Sequence, residues 1–482
     1  MITVATAMLN AQSLIHEKSD SYMPPTEPEV IEKLAQWQDL KFGVLMHWGV
    51  YSVPGICESW TITSEDWITP DPVMSYEEYK QWYWGLSKDF NPTKFNPEQW
   101  ARVMKKAGMK YMVFTSKHHD GFCLWDTKTT DYKVTNSGFA GNERQDVLRY
   151  VFDAFRNEGF WTGCYFSKPD WHSEYYWWPK RGTSSRFHNY PISQYPERWE
   201  NYKSYVHSQI GELMNDYGHF DILWLDGGWC TAPQEDIDMD RLVTIARDAQ
   251  PGLIVVDRTC AGKYENYQTP EQTIPAHQLT NPWETCMTLT NDWGWVPRPT
   301  FKSPARVIAM LAEVVAKGGS LLLGVGPTPE GLIEDEAVAR LEEVGEWLAK
   351  NGEAIYSTVA TPVYTNDEQS VWFTASKDGK TLYAIIPQKE DDSQETLTIS
   401  WQGNSPKKGS RIIDLATKKT VRYVTRDGVT TVTLPQGAAR SNGIALRFSL
   451  YSIIQSEIFL VSPSKFTPTV VIGLPLKANR WR

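Results

Sequence analysis

The chain has 482 residues, which at about 150 residues per domain makes two or three folded units and excludes a single small module. Hydrophobic residues make up 41% of it and charged residues 22%, so a core of ordinary size can form and pervasive disorder is excluded. The net charge of −10, with no run of Lys or Arg, argues against nucleic acid as a partner. Aromatic residues are abundant, with 22 Trp, 23 Tyr and 17 Phe. Rings with an apolar face and a polar edge suit ligands of the same mixed character, such as sugars.

Met1 to Gln12 is apolar and rich in small residues, and Ala5-Thr6-Ala7 resembles a signal-peptidase site without a basic leader, so export to the periplasm or exterior is expected. No stretch approaches the ~18 apolar residues that span a bilayer. The six cysteines are scattered with no C-x-x-C pair, which makes a zinc knuckle or a disulfide scaffold an unfit reading. From Pro25 onward, short apolar runs alternate with amphipathic helices for some 320 residues, the signature of a parallel sheet or barrel. The predicted strands are Phe42 to Met46, Tyr111 to Thr115, Thr162 to Phe166, Ile222 to Leu225, Ile254 to Val256, a weak one around Trp283, and Leu321 to Val325. Seven strands are one short of a (β/α)8 barrel. Asn96-Pro97 and Ser303-Pro304 open helices as N-cap and first-turn proline, while Ala107-Gly108 and Lys317-Gly318 close them. Beyond Ala360 the pattern changes to short alternating runs broken by Lys377-Asp378-Gly379 and Arg426-Asp427-Gly428, hairpin signals for an all-β sandwich. The expected organisation is an extension over 1–24, a (β/α)8-like unit over 25–356, a C-terminal β-sandwich over 357–450 and a tail over 451–482.

The predicted strand ends carry polar groups: His47, Lys117 with His118 and His119, Ser167, Asp226, Asp257 with Arg258, and Glu284. In a (β/α)8 barrel that rim is where catalysis is built. Asp226 ends an apolar run and precedes Gly227-Gly228, which let a ligand approach closely, so its carboxylate is expected in a pocket. Asp221, at the entrance of the same strand, reads as a turn or cap residue. His118 and His119 raise the possibility of a metal, yet neighbours on an extended chain point opposite ways and no further ligand signature is present. Neutral imidazoles that bond ligand hydroxyls fit better. The clusters Tyr175 to Trp178 and Trp82-Tyr83-Trp84 read as packing under long loops, with a platform at the pocket mouth as the alternative.

Three motifs in order, Phe42-Gly43-Val44-Leu45-Met46-His47-Trp48-Gly49, Lys117-His118-His119-Asp120-Gly121-Phe122 and Trp224-Leu225-Asp226-Gly227-Gly228-Trp229, with Trp283-Glu284 as a fourth, resemble the α-L-fucosidases of glycoside hydrolase family 29. The resemblance covers roughly residues 30 to 350. It implies a retaining exoglycosidase that acts on a fucosylated oligosaccharide or glycoconjugate, on a (β/α)8-like barrel with a C-terminal sandwich, and with no metal or cofactor. It implies Asp226 as nucleophile, and His47, His118, His119, Tyr165, Trp224 and Arg258 around the sugar. Glu58 and Trp60 are similar to the family's Glu-Trp sugar contacts, although Ser59 stands between them here. Glu284 resembles the acid/base of a subgroup with a Trp-Glu pair, with Glu265 and Glu271 as rivals. The chemistry needs one carboxylate to attack and one carboxylic acid to protonate the leaving oxygen, about 5–5.5 Å apart. Arg258 is expected to keep Asp226 charged, and Trp283 to desolvate Glu284 and raise its pKa.

Overall fold

The computed structural model describes residues 22–450, apart from 66, 69–70, 183–184, 367, 389–395 and 436–441. Met1 to Gln12, read above as an export signal, and the tail over 451–482 lie outside the described residues. Seven parallel strands, β1 (Phe42–Met46), β2 (Tyr111–Lys117), β3 (Trp161–Ser167), β4 (Ile222–Asp226), β5 (Ile254–Asp257), β6 (Glu284–Thr288) and β7 (Ser320–Gly324), pair in the order β5-β4-β3-β2-β1-β7-β6. Between the two edges, β5 and β6, runs an irregular extended segment. On one side Asn266 N–H donates to the Val255 carbonyl, and on the other Glu284 N–H donates to Gln268 and Gln272 N–H to Cys286. This segment stands where an eighth strand would close the barrel. Its residues, Asn266-Tyr267-Gln268-Thr269-Pro270-Glu271, lack apolar alternation, and Pro270 removes a ladder donor, which is why no strand is legible there.

Eight α-helices accompany the strands among the described residues: α1 (Pro28–Trp37), α2 (Tyr76–Gly85), α3 (Pro97–Lys106), α4 (Val147–Asn157), α5 (Pro196–Asp216), α6 (Met239–Ala249), α7 (Pro304–Ala316) and α8 (Asp335–Asn351). Asn96 and Ser303 cap α3 and α7 with their side chains, as their positions before proline predict. One apolar layer fills the space between helices and strands, and a second, separate one fills the barrel interior with Leu45, Tyr111, Tyr165, Trp224, Val256 and Leu322 among others. Two glycines leave room for the side chains of this layer. A Cβ on Gly43 would sit 2.5 Å from the Tyr111 ring, and one on Gly163 would sit 2.9 Å from Val113.

The antiparallel strands β8 (Thr358–Thr365), β9 (Trp372–Ser376), β10 (Thr381–Ile386), β11 (Thr396–Gln402), β12 (Ile412–Asp414), β13 (Thr420–Arg426), β14 (Val429–Pro435) and β15 (Ile444–Ser449) pair in the order β11-β14-β13-β12-β15-β10-β9-β8. Phe373 on β9 nevertheless meets Trp401 on β11, at the far end of that order, with ring centroids 5.6 Å apart. The sheet therefore folds over itself as two layers around one core, the expected sandwich. Asp427 and Gly428, both at positive φ, make the β13–β14 turn that the Asp-Gly pair predicts.

Candidate active site

Alternation along each strand decides which rim residues face the barrel axis. Asp226 ends β4, and its Oδ2 accepts from the Tyr165 hydroxyl at 2.6 Å. Its Oδ1 accepts from Arg258, just beyond β5, at 2.7 Å. The other arm of the same guanidinium donates to Glu271 Oε2 at 2.5 Å, so two carboxyl groups face each other across one cation. Arg258 also lies over the Trp224 ring at 4.5 Å. Burial by itself would raise Asp226, but Arg258 and the Tyr165 hydrogen bond outweigh it and hold the carboxyl well below the usual carboxylate range. The neighbouring rim residues point the other way. Lys117 bonds Asp170 at 2.7 Å and Lys168 bonds Asp257 at 2.5 Å, both pairs buried behind the strand ends.

His47, His118 and His119 converge on this carboxylate. The rings of His118 and His119 lie 4.2 Å apart, and those of His47 and His118 5.5 Å apart. The expectation that the paired histidines point opposite ways is corrected. β2 has ended at Lys117, a register shift precedes it, and the chain turns through Gly121, so strand alternation no longer applies. His119 Nε2 stands 3.8 Å from Asp226. Burial pushes all three imidazoles down, His119 to about 3. Trp60 packs edge-on against His119 at 5.2 Å. Glu58 is buried with Oε2 unpartnered, and burial, then the charges of Asp292 and Glu271, push it up to about 8.

Glu284 is elsewhere. It opens β6 rather than ending a strand, so it lies toward the opposite end of the barrel from Asp226. It is fully buried, accepting from Tyr111 at 2.6 Å and from the Trp224 indole at 3.2 Å. Burial raises it to about 7, offset in part by these bonds. Trp283 takes no part in that, because its indole faces outward and donates to the Lys317 carbonyl at 3.3 Å. Of the rivals, Glu265 accepts from the Thr259 N–H at 3.0 Å and is buried under the loop after β5. Glu271 stands at the rim with 20% of its side chain exposed, close to the 17% of Asp226.

A family model for α-L-fucosidase matches residues 9–353. The chain belongs to the α-L-fucosidase family. It is therefore a glycoside hydrolase. It is 31% identical to the human plasma α-L-fucosidase over 388 residues, 75% of this chain and 78% of that one. Among solved structures it is similar to α-L-fucosidase isoenzyme 1 from Paenibacillus thiaminolyticus (31% identity, TM-score 0.72, covering 88% of this chain and all of that one). It is also similar to the Thermotoga maritima α-fucosidase in complex with fucose (25% identity, TM-score 0.68, covering 90% and 98%).

Several groups around this candidate site carry no legible signal in the sequence. Trp293, in the loop after β6, lies 5.5 Å from the His47 ring. Arg186 lies over Trp60 at 4.7 Å and over Trp229 at 5.1 Å, with Glu65 holding its guanidinium at 2.9 and 3.0 Å. These loops have no periodicity, so only the tertiary structure reveals them. Ser59, the residue between Glu58 and Trp60, takes φ +47 and brings its hydroxyl 2.6 Å from His118 Nδ1. Tyr176 and Trp177 are buried, as the packing reading predicts, whereas Trp82 is partly exposed. Asp221 accepts from the Thr162 N–H at 2.8 Å and pairs with Lys33, a structural role at the strand entrance.

Proposed function

We propose that the enzyme is a retaining exo-α-L-fucosidase acting by double displacement on terminal fucose of an oligosaccharide or glycoconjugate. Asp226 attacks the anomeric carbon and forms a β-fucosyl ester. Glu271 protonates the departing oxygen and then deprotonates the water that releases the sugar. Glu58, Trp60, His47, His118, His119, Tyr165, Trp224 and Arg258 bind or support the fucose. The observation that carries this reading is the shared guanidinium: Arg258 keeps Asp226 anionic and sets Glu271 on its other arm. Glu271 takes the acid/base role expected of Glu284, because a proton on the buried Glu284 has no path to a glycoside at the rim. Following hydrolysis of an aryl α-L-fucoside by NMR tests the mechanism. α-L-Fucose as the first anomer supports it, and β-L-fucose first refutes it.

His118, His119 and Asp226 also bring possible ligand atoms within 4.8 Å of one another, which favours a second reading, a metal-assisted hydrolase. Arg258 argues against it. Asp226 is already neutralised at 2.7 Å, and a divalent ion would meet a fixed guanidinium.

A further inference from the structure

A serine hydroxyl has one proton and two lone pairs. Ser167 Oγ, at the end of β3, lies 2.7 Å from the Pro169 carbonyl oxygen and 2.6 Å from His119 Nδ1. A carbonyl oxygen can only accept, so the serine proton is committed to Pro169. His119 Nδ1 must then be the donor of the second bond. Burial keeps this imidazole neutral at neutral pH, so its single ring proton is on Nδ1 and Nε2 carries a bare lone pair. That Nε2 stands 3.8 Å from Asp226 Oδ2, one acceptor beside another. His118 is held the same way. Its Nδ1 lies 2.6 Å from Ser59 Oγ, which accepts the Asp120 N–H at 3.1 Å and has the Asp120 carboxylate to donate to.

We propose that His119 meets the substrate as a hydrogen-bond acceptor, locked in the Nδ1–H tautomer by Ser167, and that with Asp226 it selects a sugar hydroxyl able to donate a proton. This rests on the reading of Asp226 as the group facing the anomeric carbon. Of the two ring atoms flanking that carbon, the ring oxygen has no proton and carbon 2 bears a hydroxyl, so the selected group is the 2-hydroxyl. The role of Ser167 is positioning, exerted through the imidazole. The pocket thereby distinguishes a free 2-hydroxyl from any substituent that only accepts.

The test uses the full chain labelled with 15N-histidine, a long-range 1H–15N correlation at pH 7, and assignment of His119 by the signals lost in His119→Gln. The expected pattern is a protonated Nδ1 and a bare Nε2. In Ser167→Ala the pattern shifts to a mixture of tautomers, with KM for an aryl α-L-fucoside rising about 5–20-fold and kcat changing far less. A protonated Nε2 or an imidazolium in the wild type overturns the proposal, as does an unchanged tautomer in Ser167→Ala. The wild-type spectrum decides the tautomer even if that variant does not fold. For the hydroxyl, 2-deoxy-L-fucose and 2-deoxy-2-fluoro-L-fucose should bind equally poorly, each about tenfold or more weaker than L-fucose, because neither has a proton to give. A fluoro sugar that binds like L-fucose overturns it. The tautomer is read without turnover, so failure of the fucosidase reading would appear separately, as absent hydrolysis with the nitrogen pattern intact.

Discussion

The barrel holds two carboxyl groups in nearly identical bonds, with opposite consequences. Asp226 at the rim and Glu284 in the interior each accept from a tyrosine hydroxyl at 2.6 Å. Both face the barrel axis, and burial pushes both toward the neutral acid. At the rim Arg258 adds a full positive charge at 2.7 Å and the carboxyl is held far down. In the interior the bonds to Glu284 come from neutral donors and Arg258 acts on it only weakly, so Glu284 stays near 7. For Asp226 the tyrosine bond thus positions the carboxyl group, and the guanidinium holds its charge. The two sites are joined by one side chain. Trp224 donates to Glu284 from its indole edge and lies under Arg258 with its face.

Exchanging the rim carboxylate should break this contrast most severely. Asp226→Asn or Asp226→Gly is expected to lower kcat for an aryl α-L-fucoside on the order of 10⁴-fold, since a nucleophile has no substitute. Activity above a tenth of wild type would remove Asp226 from the mechanism. Glu271→Ala should cost about 10²–10³-fold on glycosides with poor leaving groups and much less on activated aryl fucosides, which need little protonation. If Glu284→Ala showed that leaving-group dependence and Glu271→Ala did not, the interior group would be the acid after all.

A conservative change in the interior should act on stability rather than chemistry. The folded pKa of Glu284 lies above its ordinary value of 4.5, so the protonated group stabilises the fold fully below that pH. This contribution declines as pH rises through about 7. Glu284→Gln should therefore flatten the fall of Tm between pH 5 and 8, with kcat within about threefold of wild type; an unchanged Tm profile would contradict the shift. Glu58, pushed up to about 8, is a neutral acid in the pocket at pH 7. KM should rise as pH passes 8 and a buried anion forms, and Glu58→Gln should remove that limb of the profile. The smallest effect is the absence of one: prolonged chelation should leave turnover unchanged, and a loss restored by a divalent ion would favour the His118, His119 and Asp226 metal reading.

Much of the fold is legible because it depends on local chemistry. Six of the seven barrel strands are apolar runs of the right length, the caps of α3 and α7 are side chains beside proline, and the Asp-Gly turn needs residues that tolerate positive φ. The segment around Pro270 that fills the eighth position is not legible, since its extended shape comes from hydrogen bonds to β5 and β6 rather than from its own composition. In the site, Asp226 is legible as the end of a strand before two glycines, and the histidines as residues just past strand ends. Glu284 shows where such reading fails. A shift of a few residues in the start of a weak strand moves a carboxyl group from the rim to the interior, because position along the strand is depth in the barrel. Sequence determined which residue types are present and on which elements they sit. Tertiary structure decided their depth, their facing and their charge, because those depend on which distant side chain, Arg258 or Tyr111, stands a hydrogen bond away.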